Sequence, residues 1–299
     1  MNNFFKGALL SLISAFGFAL LPIFALFAYQ GHINVTTLLF IRFFFGALLF
    51  FSYVFIKYQK VTVQLKDLFY LFVLGGICYN LQSQFYFSAV KYISPSLAAL
   101  LLYTYPMTVT ILTFFIDKEK ITKAVGASVG LSFIGLILIL GMSLGKVRGL
   151  GILLALGAAL VYSVYIIIGN RVVRRMPPLV MSAFIAAFSA IGQLVFGVLS
   201  GELNFNFASS IWLPVIGLIL FSTVIAMLFF FKGMELIGPA KASIISMMEP
   251  VFTVVLSTII LKDHLTLLQL TGGVLVLAGA GWVVWSREHH HIPEMNNTI

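Results

Sequence analysis

The chain has 299 residues, 61% of them hydrophobic, 15% aromatic and only 9% charged, and it carries a formal net charge of +9. A soluble globular domain has about a quarter of its residues charged, so this composition excludes one and specifies a membrane protein. The Lys and Arg residues are scattered along the chain rather than gathered into one basic stretch, which fits contact with anionic membrane lipid and argues against a nucleic-acid partner.

Apolar runs of 18 or more residues are long enough to cross about 30 Å of hydrocarbon as helices. With Lys, Arg, Pro and Gly as punctuation, spans are predicted at 4–29, 35–57, 67–89, 95–116, 123–142, 149–169, 178–199, 211–231, 239–261 and 267–285. A spanning β-barrel would need short segments of alternating polarity, and these runs are continuous. The first span lacks a small-residue cleavage site after a short apolar core, so it reads as a retained helix and not a targeting peptide. On the second, Arg42 lies about 11 Å from the outer end at about 1.5 Å of rise per residue. It either snorkels to the interface or serves as a cavity cation that holds a substrate carboxylate or pairs with Glu249.

The third span holds the single cysteine, Cys78, which is expected to pack, and Asn80 and Gln84 one turn apart with Gln82 and Ser83 nearby. Amides in hydrocarbon need partners from a neighbouring helix or cavity water, so Asn80 and Gln84 are predicted to line a cavity. On the fourth span Ser96, Ala99, Tyr103, Pro106, Thr110 and Thr113 follow a three-four spacing and form one mildly polar face. Tyr103 and Tyr105, with Tyr162 and Tyr165 on the sixth, either supply aromatic walls with hydrogen-bonding tips or simply pack. Gln193 on the seventh span is a weaker candidate.

The ninth span carries Glu249 near the bilayer midplane, where an ionised carboxylate costs about 3 kcal/mol or more and must face the interior. Ser246 three residues before it and Thr253 four after it extend a polar stripe. Glu249 is read as a proton-coupling or substrate-amine group, or else as a structural acid bonded to a neighbouring helix. Lys241 is placed to snorkel. Pro95 and Pro239 begin helices, where a missing N–H costs nothing. Pro106 and Pro250 sit mid-span, where each frees a carbonyl one turn earlier and permits a kink. Spans five and ten, with Gly126, Gly130, Gly272, Gly273, Gly279 and Gly281, offer small faces for scaffolding or a homodimer contact. His289, His290 and His291 read as a solvated tail and not as a metal site.

These elements repeat. Phe87 to Gly135 recurs without a gap 144 residues later as Phe231 to Gly279, so that Ile93, Pro95, Pro106, Lys118, Thr122 and Gly135 become Ile237, Pro239, Pro250, Lys262, Thr266 and Gly279. The same offset carries Gly7 to Gly151 and Phe40 to Phe184, which extends the repeat to five spans. An odd number makes the second copy enter from the opposite side, an inverted repeat of the kind secondary carriers use. Charge supports this. With the N-terminus inside, the inner segments hold Lys6, Lys57, Lys60, Lys66, Lys118, Lys120, Lys123, Arg171, Arg174, Arg175, Lys232, Lys241 and Arg287, against Lys91, Lys146, Arg148 and Lys262 outside. The positive-inside rule then places both termini in the cytoplasm. No Gly-x-x-x-x-Gly-Lys-Ser/Thr or His-Glu-x-x-His motif is present, which weighs against ATP-driven transport and metalloprotease readings.

The stretch Ser94-Pro95-Ser96-Leu97-Ala98-Ala99, with Tyr105-Pro106, Lys118-Glu119 and Ile121-Thr122, resembles the EamA domain of the drug/metabolite transporter superfamily. Gly238-Pro239-Ala240-Lys241-Ala242-Ser243, with Glu249-Pro250-Val251, Leu265-Thr266, Gln269 and Gly272-Gly273 through Gly279, resembles it more closely. One departure is Asp263, followed by His264, at an acidic position after the ninth helix. The resemblance implies a secondary carrier of small metabolites, with helices 1 to 4 and 6 to 9 around a central cavity and helices 5 and 10 at the periphery.

The resulting expectation is an all-α membrane protein of ten transmembrane helices in two inverted five-helix repeats, 1–143 and 149–286, followed by a cytoplasmic tail at 287–299. It is expected to move a small metabolite such as an amino acid across the cytoplasmic membrane, more as exporter than importer, by alternating access and without cofactor, metal or catalytic residues. Arg42, Asn80, Gln84, Tyr103, Tyr105, Tyr162, Ser246 and Glu249 are the predicted substrate contacts, and Glu249 is the candidate for coupling to the proton. The rivals are a non-transporting receptor or scaffold and a membrane-embedded enzyme.

Overall fold

The computed structural model describes residues 3–58, 62–89, 92–93, 95–118, 121–140, 149–261 and 266–285. Every regular element among them is helical. The first half comprises α1a (Asn3–Ala19) and α1b (Leu21–Tyr29), α2 (Val35–Lys57), α3a (Leu65–Phe72) and α3b (Asn80–Ala89), α4a (Pro95–Leu102) and α4b (Tyr105–Asp117), and α5 (Lys123–Leu140). The second comprises α6 (Gly149–Val173), α7 (Pro178–Ser200), α8a (Trp212–Ile219) and α8b (Ala226–Ile237), α9a (Pro239–Ser246) and α9b (Met248–Leu261), and α10 (Leu267–Trp285). The His289–His291 tail and Asp263–His264 lie outside the described residues.

Local chemistry sets the ends of these helices. The Asn34 side chain caps α2 by accepting from the Thr37 N–H at 2.8 Å. At α10, Thr266 and Gln269 form a reciprocal capping box: Gln269 Oε1 accepts from the Thr266 N–H at 2.9 Å and Thr266 Oγ1 from the Gln269 N–H at 3.2 Å. Gly201 closes α7 at φ 68°, a left-handed conformation that glycine adopts without strain. Several helices run past the predicted ends, α6 to Val173 and α8b to Ile237. The predicted ends fall just before Arg171 and Lys232, but Arg171 lies in the last turn of α6, where a basic residue complements the helix dipole, and Lys232 lies inside α8b.

Eight helices, counting broken ones as single rods, are long and apolar enough to cross a membrane among the described residues, and Leu267–Val283 forms a shorter apolar helix. The stretch 65–89 is helical throughout but carries Lys66, Asp67, Asn80, Gln82 and Gln84, which lower its hydropathy. Large apolar side chains cover the outside: Ile56 and Leu199 are each 82% exposed and Leu213 81%. Such a surface is stable only in hydrocarbon. The chain is a multi-pass membrane protein.

Packing follows the repeat. The helix pairs α1a with α8b, and α6 with α3b, are repeat mates of one another, while α2 with α7 and α5 with α10 each join equivalent helices of the two halves. Glycines let these pairs approach to backbone contact. A Cβ on Gly135 of α5 would meet the Gly272 carbonyl oxygen of α10 at 2.5 Å, and one on Gly17 would meet the Phe221 carbonyl oxygen at 2.7 Å. Close approach replaces the hydrophobic effect, which is absent between helices already in lipid.

Candidate functional site

Two helices are interrupted at the same place in the repeat. α4a ends at Leu102 and α4b begins at Tyr105, with Pro106 as its second residue; α9a ends at Ser246 and α9b begins at Met248. The turns close with tighter bonds, Thr104 N–H to the Leu101 carbonyl at 3.2 Å and Met247 N–H to the Ile244 carbonyl at 3.1 Å. Pro106 and Pro250 have no N–H to offer the carbonyls of Leu102 and Ser246, so each α-helical ladder stops there. Position 103 plus 144 is 247, so the two breaks are repeat mates.

The second break turns Glu249 into a first-turn residue of α9b. The partial positive charge at that half-helix N-terminus favours a carboxylate. Ser246 and Glu249 therefore do not share one continuous helical face, as their spacing had predicted; they lie on either side of a break. The same correction applies to the polar face of span four, which is divided between α4a and α4b. The Tyr103 side chain lies close to the Glu249 carboxylate, and that of Tyr105 close to the Ser246 hydroxyl. Ser246 in turn donates to the Ala242 carbonyl at 2.9 Å. Tyr86 and Tyr162 also lie within electrostatic range of Glu249. Glu249, Tyr103 and Tyr162 are only partly buried.

From this carboxylate a chain of rings crosses the protein. Tyr103 lies 6.2 Å from Tyr105, Tyr105 stands edge-on to Tyr162 at 4.7 Å, and Tyr162 stacks on Tyr165 at 5.8 Å. Tyr165 leads to Tyr79 at 6.5 Å, and Tyr79 to Phe43 at 4.7 Å. The Arg42 guanidinium carbon sits 4.9 Å from the centroid of Phe43. Arg42 and Glu249 thus bracket an aromatic wall drawn from α2, α3, α4 and α6.

Arg42 does not snorkel. It is 3% exposed, and its Nε donates to Thr223 Oγ1 at 2.8 Å and its Nη2 to the Ser222 carbonyl at 3.0 Å. Both partners belong to a π-helical turn, Leu220–Ile225, between α8a and α8b. A π turn leaves backbone groups without their usual partners, and here the guanidinium meets one of them. A second π turn, Val73–Tyr79 between α3a and α3b, overlaps the repeat mate of this one. Asn80 Nδ2 serves it, donating to the Gly75 and Gly76 carbonyls at 3.1 and 3.0 Å, and Ser189 Oγ reaches the Gly75 carbonyl at 3.2 Å.

A sequence model of the EamA-like transporter family matches residues 5–141 and matches again at 149–285. The chain belongs to the EamA-like transporter family. The relatives of this EamA-like chain include the uncharacterized transporter YyaM of Bacillus subtilis (strain 168), 25% identical over 65% of this chain and 66% of that protein. An uncharacterized transporter of Clostridium kluyveri is 25% identical over 75% of each. A crystal structure of a protein 21% identical superimposes with a TM-score of 0.79 over 93% of this chain and 96% of that one, a likeness of fold.

Within this EamA-like fold the predicted residues divide into three groups. Tyr103, Tyr105, Tyr162, Ser246 and Glu249 come together at the two breaks. Arg42 and Asn80 hold π turns, and Gln84 is partly buried on α3b with no side-chain partner among the described residues. Gln193, 1% exposed, has both amide atoms unpaired among the described residues. Sequence reasoning missed Tyr79, Phe43, Ser222 and Thr223. Gly75-Gly76 and Ser222-Thr223, small or polar pairs inside apolar runs, were the available signals. It also missed the break at Leu20, where Pro22 opens α1b with no counterpart in α6.

Proposed function

We propose that this EamA-like chain is a secondary carrier that moves a small metabolite bearing both an amine and a carboxylate, of the amino-acid type, across the cytoplasmic membrane. The observation that carries this reading is the meeting of two repeat-mated helix breaks at a partly buried carboxylate faced by tyrosines. Broken helices at midplane expose backbone and helix termini only where a substrate or water cavity satisfies them. Glu249 would hold the amine, or a proton in its place. The tyrosine wall would contact the body of the substrate, and Arg42, already tied to α8, would supply the positive field for its carboxylate. All ten helical rods then cross the membrane, both termini face the cytoplasm by the distribution of Lys and Arg, and the halves rock about the site to export their substrate.

The test is a thermal-shift screen of the purified protein against amino acids, organic acids, sugars and nucleosides, run on wild type and Glu249→Gln. A ligand at 100 times its dissociation constant stabilises the folded state by about 2.7 kcal/mol. Amino acids are expected to raise the melting temperature of the wild type and to lose that effect in Glu249→Gln. Stabilisation by sugars alone, or an amino-acid shift of equal size in both proteins, would contradict the assignment.

A further inference from the structure

The 144-residue offset also relates two contacts at opposite ends of the molecule. At one end Arg175, in the turn between α6 and α7, meets Asp67 in the first turn of α3a, Nη1 to Oδ1 at 3.3 Å. At the other end the mates of these residues, Gly31 and Ile211, meet: Gly31 lies in the turn between α1b and α2, and a Cβ there would overlap Ile211 Cγ2. The two turns are built alike. The Arg175 N–H donates to the Val172 carbonyl at 2.9 Å and the Gly31 N–H to the Ala28 carbonyl at 3.0 Å, and 28 and 172 are again mates. Each contact ties a turn of one half to the start of the third helix of the other half. Only the first is ionic.

Asp67 is 7% exposed, while the side chain of Arg175 is 46% exposed and its guanidinium carbon lies 5.9 Å from the centroid of Tyr70. The carboxylate is thus a fixed, largely desolvated acceptor, and the arginine can leave it for solvent. Removing the arginine would leave a buried charge unpaired, which favours separation of the two elements. Opposite it, Ile211 is 2% exposed against Gly31, and the Ala208 N–H donates to the Gly31 carbonyl at 3.1 Å. That closure holds no charge pair at the equivalent place.

We propose that Asp67 and Arg175 form an electrostatic latch that closes the arginine-bearing end of the central site, while the mated closure at the other end relies on packing at Gly31 and Ile211. This rests on the alternating-access reading. Opening at the latched end is then sensitive to salt and to single charge removal, and opening at the other end is not.

The test uses Ser246→Cys as a reporter in a Cys78→Ala background and a membrane-impermeant maleimide applied to vesicles of either orientation. Arg174→Cys, exposed on the same turn as Arg175, identifies the vesicles that present the latched face. Arg175→Gln and Asp67→Asn are each expected to raise the labelling rate of the reporter from that face at least threefold, as is a tenfold rise in salt on the wild-type pair. The charge swap, Asp67→Arg with Arg175→Asp, is expected to return the rate to that of the wild-type pair. Equal rates in Arg175→Gln and wild type would overturn the latch. No labelling from either face in any variant would overturn the two-sided site, and the latch with it.

Discussion

Gly135 and Gly130 lie on the same helix, α5, and face different surroundings. A Cβ on Gly135 would meet the Gly272 carbonyl oxygen at 2.5 Å, whereas one on Gly130 would meet nothing within 4 Å. Gly135→Val should therefore force α5 and α10 apart, at a cost of about 1–3 kcal/mol, and lower the melting temperature of detergent-solubilised protein by several degrees. Gly130→Val should leave it unchanged. The sequence marked Gly130 and not Gly135 as a small-face residue, because composition does not reveal which side of a helix meets its neighbour. Arg42 posed the same difficulty. Its burial depends on the Ser222 carbonyl and the Thr223 hydroxyl, about 180 residues away in the chain.

At the scale of elements, two kinds of interruption shape the site. The proline breaks were legible, since Pro106 and Pro250 remove a backbone donor and recur at the 144-residue offset. The π turns at Val73–Tyr79 and Leu220–Ile225 were not, because no residue type compels them. They arise where side chains from a partner helix, Ser189 for one and Arg42 for the other, meet the displaced carbonyls. Replacing Pro106 or Pro250 by Ala would allow the ladder to close, since Ala restores the missing N–H and has the best helix propensity. Pro250→Ala is expected to raise the melting temperature while slowing transport about tenfold, because Glu249 would lose its place in the first turn of a half-helix. Unchanged transport with higher stability would assign the break a packing role alone.

At the scale of the whole molecule, the family, the helical class and the repeat were readable from hydropathy and from recurring residues, because membrane solvent imposes strong rules on both. How the halves face each other was not. Contacts such as Asp67 with Arg175, or Gly31 with Ile211, are set by tertiary pairing between segments about 108 and 180 residues apart. The most direct test of the carrier reading is counterflow. Liposomes containing the purified protein would be loaded with an unlabelled amino acid that stabilises it in the thermal-shift screen, and trace labelled amino acid would be added outside. A carrier with one site presented alternately to each face predicts transient accumulation of label inside above its outside concentration, abolished in Glu249→Gln. Simple equilibration without overshoot, or no entry at all by a ligand that binds, would contradict it.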